Sequence, residues 1–304
     1  MTTALITHAD SLKHITPDGH PEQVARLSAV NAALQGFDLL RVDAPLGLDE
    51  HILRAHPQRH IDHIRAAGIG ALDADTHMSA GSLNAALRGV GANIAAVDMV
   101  MSGQVTNAFC AIRPPGHHAE TAKPMGFCLF GNVVIAAKHA LEAHGLSRVA
   151  IMDFDVHHGN GTQNLVWDDA RIFFASTHQM PLYPGSGAAD EIGAHGQIMN
   201  VPLPAESDGT VFRDKMTTQI LPAIDAWKPE LILISAGFDA HRDDPLANLN
   251  WVEDDFVWAT QQLCTLAAKH CDGRLVSTLE GGYNLDALAA SVAAHVSVLQ
   301  EFSS

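Results

Sequence analysis

A chain of 304 residues, 47% hydrophobic and 17% charged, is long enough to bury a sizeable core. Its formal charge of −16 excludes the class of proteins that draw their affinity from nucleic-acid phosphates, and makes a cationic partner, or simply a solvated acidic surface, the better expectation. No apolar run approaches the ~18 residues of a membrane span, and Met1–His8 lacks the basic and apolar regions of a signal peptide, so a cytoplasmic protein without a membrane partner is expected.

Elements follow from apolar periodicity in chain order. Pro21 to Gln35 reads as a helix that opens on a first-turn proline and stops at Gly36. Leu83, Leu87, Val90, Ile94, Val97 and Met101 form one apolar stripe of a second helix, ending before Gly103. Ala108–Ile112 is a strand, and Asn132 is placed as the cap of a helix running to Gly145. Val149–Phe154 and Arg171–Ala175 are strands, Asp208 caps a helix to about Trp227, and Leu231–Ala236 and Arg274–Leu279 are strands before a last helix from Asp286. These strands are short, nearly continuous apolar runs, the pattern of strands buried on both faces of a parallel sheet. Strand alternating with helix predicts a doubly wound, mostly parallel α/β fold. No linker-like stretch or internal repeat divides the chain, so residues 1–304 are read as one domain.

In such a fold, ligands bind beyond the carboxyl ends of the strands. Four of the five runs lead directly into chemical residues: Arg113-Pro114-Pro115-Gly116-His117-His118, then Asp153 to Asn160, then Gly237-Phe238-Asp239, then Glu280-Gly281-Gly282-Tyr283. Side chains two apart on extended chain share a side, so Asp155 and His157 can reach one ion, with Asp239 as a third ligand from another strand. Three nitrogen and carboxylate ligands leave an open position, as in a catalytic zinc site, although capping residues after a strand would give the same spacing. Two carboxylates harden the set, so Fe²⁺ or Co²⁺ would also suit it. Adjacent His117 and His118, on a proline-stiffened loop, can divide proton acceptance and donation between them. The chain has 19 histidines, and most of them need no function. Cys110, Cys128, Cys264 and Cys271 lack CxxC spacing and read as buried thiols.

The combination RPPGHHA, DFDVHHGNGT, YPGSG, GFDAH and LEGGYNL resembles the histone deacetylase family, which shares the arginase/deacetylase fold, and the likeness runs from His20 to Leu285. Asn160 and the Glu280–Asn284 segment resemble the class II branch. The resemblance implies Zn²⁺ on Asp155, His157 and Asp239, His118 as general base and then acid, and a cationic His117 oriented by Asp153. It implies that Tyr283 donates to the oxyanion, that Gly126, Phe127, Tyr183 and Gly282 line a narrow acyl-lysine tunnel, and that Arg26 sits in a channel below the metal. It further implies a structural K⁺ site at Asp153, Asp155, His157, Ser176 and Thr177. Leu246 takes the tunnel-mouth position where acetylpolyamine-specific relatives carry glutamate, which favours acyl-lysine peptides as substrates.

Two other readings stand beside this one. Binuclear-manganese ureohydrolases need further Asp and His ligands where this chain has His117, His118 and Tyr283. A weakly active acyl-lysine reader is the alternative of a different class, and the presence of Tyr283 weighs against it. The sequence leaves open the natural substrate among acyl-lysine proteins, acetylpolyamines and small acylated metabolites, and also the oligomeric state.

Overall fold

The protein is described by a computed structural model covering residues 2–303. Its amino-terminal part contains β1 (Thr3–Thr7), α1 (Val24–Ala33), β2 (Leu40–Asp43), α2 (Asp49–Ile52), α3 (Gln58–Ala66) and a two-stranded hairpin of β3 (Gly70–Ala71) and β4 (His77–Met78). The long α4 (Ser82–Met101) leads to β5 (Asn107–Cys110), α5 (Asn132–Ala143), β6 (Val149–Asp153), α6 (Asn160–Val166), β7 (Ile172–Gln179) and β8 (Ile198–Leu203). Then come α7 (Gly209–Lys215), which passes through one wider turn into α8 (Leu221–Trp227), β9 (Leu231–Ala236), α9 (Glu253–His270), β10 (Leu275–Leu279) and α10 (Leu285–Glu301).

Eight strands form one sheet in the order β2-β1-β5-β10-β9-β6-β7-β8, and every pairing in it is parallel. Alternation along each strand divides the apolar side chains between two helical layers. Ala150 and Met152 of β6 join Phe109, Ile232 and Leu275 in a core covered by α1, α7, α8, α9 and α10. Val149 and Ile151 face the other way, with Ala108, Leu231 and Val276, onto α4 and α5. Trp251 stacks on Phe212 with ring centroids 3.7 Å apart, both fully buried, and burial of a side chain of this size contributes about 1.5–3 kcal/mol.

The sheet is the expected architecture, larger than the five strands read from periodicity. Helix starts differ from expectation at three places. Gly131, not Asn132, is the cap of α5; Asn132 is its first helical residue and is buried. The first helix begins at Val24 rather than Pro21, after a segment in which Gln23 is still extended. The last is capped by the Asn284 side chain, which accepts from the backbone N–H of Ala287. Asp208 caps α7 as expected, accepting from Thr210 and Val211.

Candidate metal centre and tunnel

The four strands that carry the chemical motifs are neighbours at the middle of the sheet, β5-β10-β9-β6. Parallel pairing aligns their carboxyl ends, so segments up to some 170 residues apart in sequence, from His117 to Tyr283, meet above one sheet edge. His157 Nδ1 lies 3.1 Å from Asp155 Oδ1 and 3.1 Å from Asp239 Oδ2. Both carboxylates are inaccessible to solvent, and the donor atoms of the trio all lie within 4.8 Å of one another. Their other oxygens accept backbone N–H groups, Asp155 Oδ2 from Gly281 at 2.8 Å and Asp239 Oδ1 from Val156 at 3.0 Å, which fixes both carboxylates in place. Glycine is required around them. A Cβ at Gly281 would lie 2.1 Å from Asp239 Oδ2, and one at Gly237 would lie 2.1 Å from Asp155 Oδ2.

The trio fits a zinc-type ion. Bonds of about 2.0–2.1 Å in tetrahedral geometry put ligand atoms roughly 3.3 Å apart, close to the separations observed here. Burial lowers the pKa of His157, but the Asp155 and Asp239 carboxylates beside it overcome this and raise it to about 10. A cation bound to that nitrogen would displace the proton the same carboxylates hold, the usual exchange of a metal for a proton at a buried ligand. Burial and the neighbouring Asp155 raise Asp239; burial also acts to raise Asp155, but His117 and His157 hold it below the usual carboxylate range.

The two histidines after the proline turn have opposite electrostatics. His117 Nδ1 pairs with Asp153 Oδ2 at 3.0 Å, and although burial disfavours its cation, Asp155 and Asp153 raise its pKa well above the ordinary value. Burial pushes Asp153 up to about 6 against the pull of His117, so the pair is ionised at neutral pH. His118 is pushed well down by burial and by the charges of His117 and His157. Its Nδ1 is 2.7 Å from Asn160 Oδ1, and Asn160 Nδ2 donates to Glu120 Oε1 at 2.8 Å. With its amide group committed as donor elsewhere, Asn160 accepts from His118 Nδ1–H, and the lone pair of His118 is left on Nε2.

A cavity of about 190 Å³ opens above the trio, with His118, Phe127, Tyr183, Leu246 and Tyr283 in its wall. Phe127 rests edge-on against Tyr283 at 5.9 Å, and Tyr183 edge-on against His118 at 5.2 Å. Phe127 holds a positive φ of 68°, a conformation costly for a bulky residue and often found where a site demands it. The hairpin loop secures it: the Phe127 N–H donates to Thr76 Oγ1 at 3.0 Å and the Gly126 N–H to Asp75 Oδ1 at 3.2 Å. Gly126 itself lies so close to His118 that a Cβ would fall 2.4 Å from its ring. Arg26 is fully buried beneath Tyr283, its guanidinium carbon 4.8 Å from the ring centroid. It donates to the Gly282 and Glu280 carbonyls and to Glu22.

All the residues singled out for catalysis, metal binding and the tunnel therefore converge, Gly282 through its backbone under Tyr283. Ser176 pairs in register with Asp153 on the adjacent strand, which brings the residues of the expected K⁺ site to the same strand ends; its Oγ lies 2.9 Å from His178 Nδ1, and Thr177 Oγ1 is buried without a partner. Three contributors have no role assigned from sequence. Asp75 and Leu182 line the cavity, and Glu280 accepts from the backbone of Gly116 at 2.7 Å and of His117 at 3.2 Å. Asp244 is buried, with Oδ2 accepting from Tyr283 N–H at 2.7 Å and Oδ1 from Leu246 N–H at 3.0 Å. The Asp73-Ala74-Asp75-Thr76 run was a legible turn signal, whereas nothing in sequence could show which way the carboxylates of Glu280 and Asp244 point.

Fold and site together define a hydrolase of the deacetylase class. Residues 20–299 match the family model of the histone deacetylase domain, and the chain belongs to that family. It is 38% identical over 304 residues to Histone deacetylase 10, chloroplastic, of Oryza sativa subsp. japonica, with 91% of this chain and 68% of the rice protein covered. It is 36% identical over 297 residues to a probable deacetylase of Archaeoglobus fulgidus, covering 94% of this chain and 82% of the archaeal one. Among solved structures it is similar to the crystal structure of the HDA15 HD domain, with a TM-score of 0.94 and 33% identity over 99% of this chain and 88% of the other. No helix among the described residues is long and apolar enough to cross a membrane.

Proposed function

We propose that the protein hydrolyses the amide of acylated lysine side chains with one Zn²⁺ held by Asp155, His157 and Asp239, and that residues 1–304 act as one catalytic domain. The observation that carries this reading is a buried donor trio beside a cavity walled by His118, Phe127, Tyr183 and Tyr283, with His118 held neutral by its surroundings. The ion would supply Lewis acidity toward the scissile carbonyl and a lower pKa for the attacking water.

The protein's own groups supply the remainder. His118, with its lone pair on Nε2, accepts the water proton and later returns it to the departing amine. In the ionised His117–Asp153 pair the His117 imidazolium lies against His118, ring centroids 4.0 Å apart, and holds the pKa of His118 down. Tyr283 stays protonated because burial and Asp239 raise it well above the ordinary phenol value, so it remains a donor at every working pH. Water and amide become carboxylate and amine. Phe127, Tyr183 and Leu246 give the alkyl chain an apolar wall, and Leu246 offers no charge to a second ammonium, which favours acyl-lysine over acetylpolyamines. A K⁺ ion at Asp153, Asp155, His157, Ser176 and Thr177 would stiffen the strand ends that present the ligands. Four buried free thiols support a reducing, cytoplasmic setting.

A kinetic panel of acetyl-lysine peptide, acetylspermidine and acetylputrescine tests the proposal. Higher kcat/KM on the peptide is expected. A strong preference for either polyamine would overturn the substrate assignment, and binding of acetyl-lysine without turnover would overturn hydrolysis in favour of a reader.

A further inference from the structure

A second histidine cluster lies at the opposite end of the sheet. Asp98 sits in the last turn of α4, which leads to the start of β5, and His144 caps the carboxyl end of α5, just before the start of β6. The amino ends of the strands lie here, away from the catalytic residues. Asp98 Oδ1 is 2.7 Å from His139 Nε2 and 2.7 Å from His144 Nε2, and the two rings meet edge-on at 5.4 Å. The donor atoms of the three residues all lie within 4.8 Å. A third imidazole, His51 of α2, stands edge-on to His139 at 5.9 Å. Its Nδ1 accepts the Leu48 N–H and its Nε2 lies 3.9 Å from Glu50 Oε1, so it borders the cluster without joining it.

We propose that Asp98, His139 and His144 form a peripheral binding site for a divalent transition-metal ion of the zinc type, linking α4 to α5. In the ion-free arrangement two imidazole N–H groups converge on one carboxylate oxygen, and they lower the pKa of Asp98 although its partial burial acts the other way. One divalent ion would take the place of the two N–H donors, binding the Asp98 carboxylate and the Nε2 lone pair of each ring once the ring proton sits on Nδ1. The coordinating tautomer carries its proton on Nδ1, and no acceptor bond at His139 Nδ1 holds the ring in the other tautomer. Two imidazoles and a carboxylate select Zn²⁺, Ni²⁺ or Cu²⁺ over Mg²⁺ or Ca²⁺, which take oxygen ligands. The Asp98 side chain is 51% exposed and that of His144 25%, so an ion can enter from solvent and keep water in its remaining positions.

Equilibrium dialysis of the metal-stripped full chain against Zn²⁺ above pH 7, with metal counted by elemental analysis, tests the site. Two ions per chain are expected for the wild type and one for His144→Ala, which removes a partly exposed ligand at a helix end. Asp155→Asn should also retain one ion, at the peripheral site, so loss of either site is distinguishable from loss of the other. The melting temperature of the wild type should rise as the peripheral site fills, and that increment should vanish in His144→Ala. The same ion count in His144→Ala as in the wild type, or no ion in Asp155→Asn, would overturn the proposal.

Discussion

Replacing Tyr283 by phenylalanine removes one oxygen from the site and little else. The ring keeps its edge-on contact with Phe127 at 5.9 Å and its place over the Arg26 guanidinium at 4.8 Å. The backbone N–H of residue 283 still donates to Asp244 Oδ2, so the main chain is held where it was. Neither the fold nor the Asp155–His157–Asp239 trio depends on the hydroxyl. What is lost is a donor that burial and Asp239 keep protonated, on a residue that lines the cavity. Loss of one preorganised oxyanion donor costs about 10²–10³-fold in kcat, or roughly 2.7–4 kcal/mol of transition-state stabilisation. The effect should fall on kcat, with KM changed only slightly, because the ground-state carbonyl gains little from that donor. Steady-state hydrolysis of an acetyl-lysine peptide, with metal content and melting temperature measured on the same preparation, gives all three readouts. A kcat within threefold of wild type at unchanged metal content would refute the assignment of Tyr283 to the oxyanion.

Gly281→Ala places a Cβ 2.1 Å from Asp239 Oδ2 and 2.5 Å from Asp155 Oδ2, so it should strip the catalytic ion; elemental analysis showing a full complement would contradict the packing argument. Leu246→Glu should shift kcat/KM toward acetylspermidine, and an unchanged substrate ratio would show that position 246 does not read the second amine. Buried His295 donates from Nδ1 to Thr260 Oγ1, which itself donates to Phe256, and accepts at Nε2 from Ser277; burial holds its pKa at about 3 against an ordinary 6.5. Because this folded pKa lies below the unfolded one, the unfolded chain binds the extra proton, and stability should fall as pH drops from about 6.5 toward 3. His295→Gln should lose less urea resistance than wild type between pH 7.5 and pH 5, and an equal loss in both would exclude this histidine as a contributor.

The site was more legible in sequence than the sheet that carries it, for a physical reason. Catalytic chemistry restricts residue type at fixed spacing, as in Asp153 to Asn160, and the strand leading into it is buried on both faces and therefore continuously apolar. Edge strand β2 reads Leu-Arg-Val-Asp and is mostly exposed, so it carries no such run. In β8, Pro202 and Asn200 interrupt the apolar pattern, and neither is compatible with a simple strand reading. Helix α9 opens on Glu253, Asp254 and Asp255, with Asp255 accepting the Val252 N–H; that acidic first turn was a usable signal that apolar periodicity alone missed. The supporting roles of the Asp244 and Glu280 carboxylates were illegible because they lie in backbone N–H groups of segments distant in sequence, and the turn signal around Asp75 did not show that it holds Gly126.

The central claim is that one ion on Asp155, His157 and Asp239 is required for amide hydrolysis. The most direct measurement is acetate released per acetyl-lysine peptide consumed by wild type, by metal-stripped wild type before and after one equivalent of Zn²⁺, and by Asp239→Asn. The account predicts stoichiometric acetate release by the wild type, loss of release on stripping, recovery with Zn²⁺ and none in Asp239→Asn. Full turnover by verified metal-free protein, or by Asp239→Asn, would contradict it.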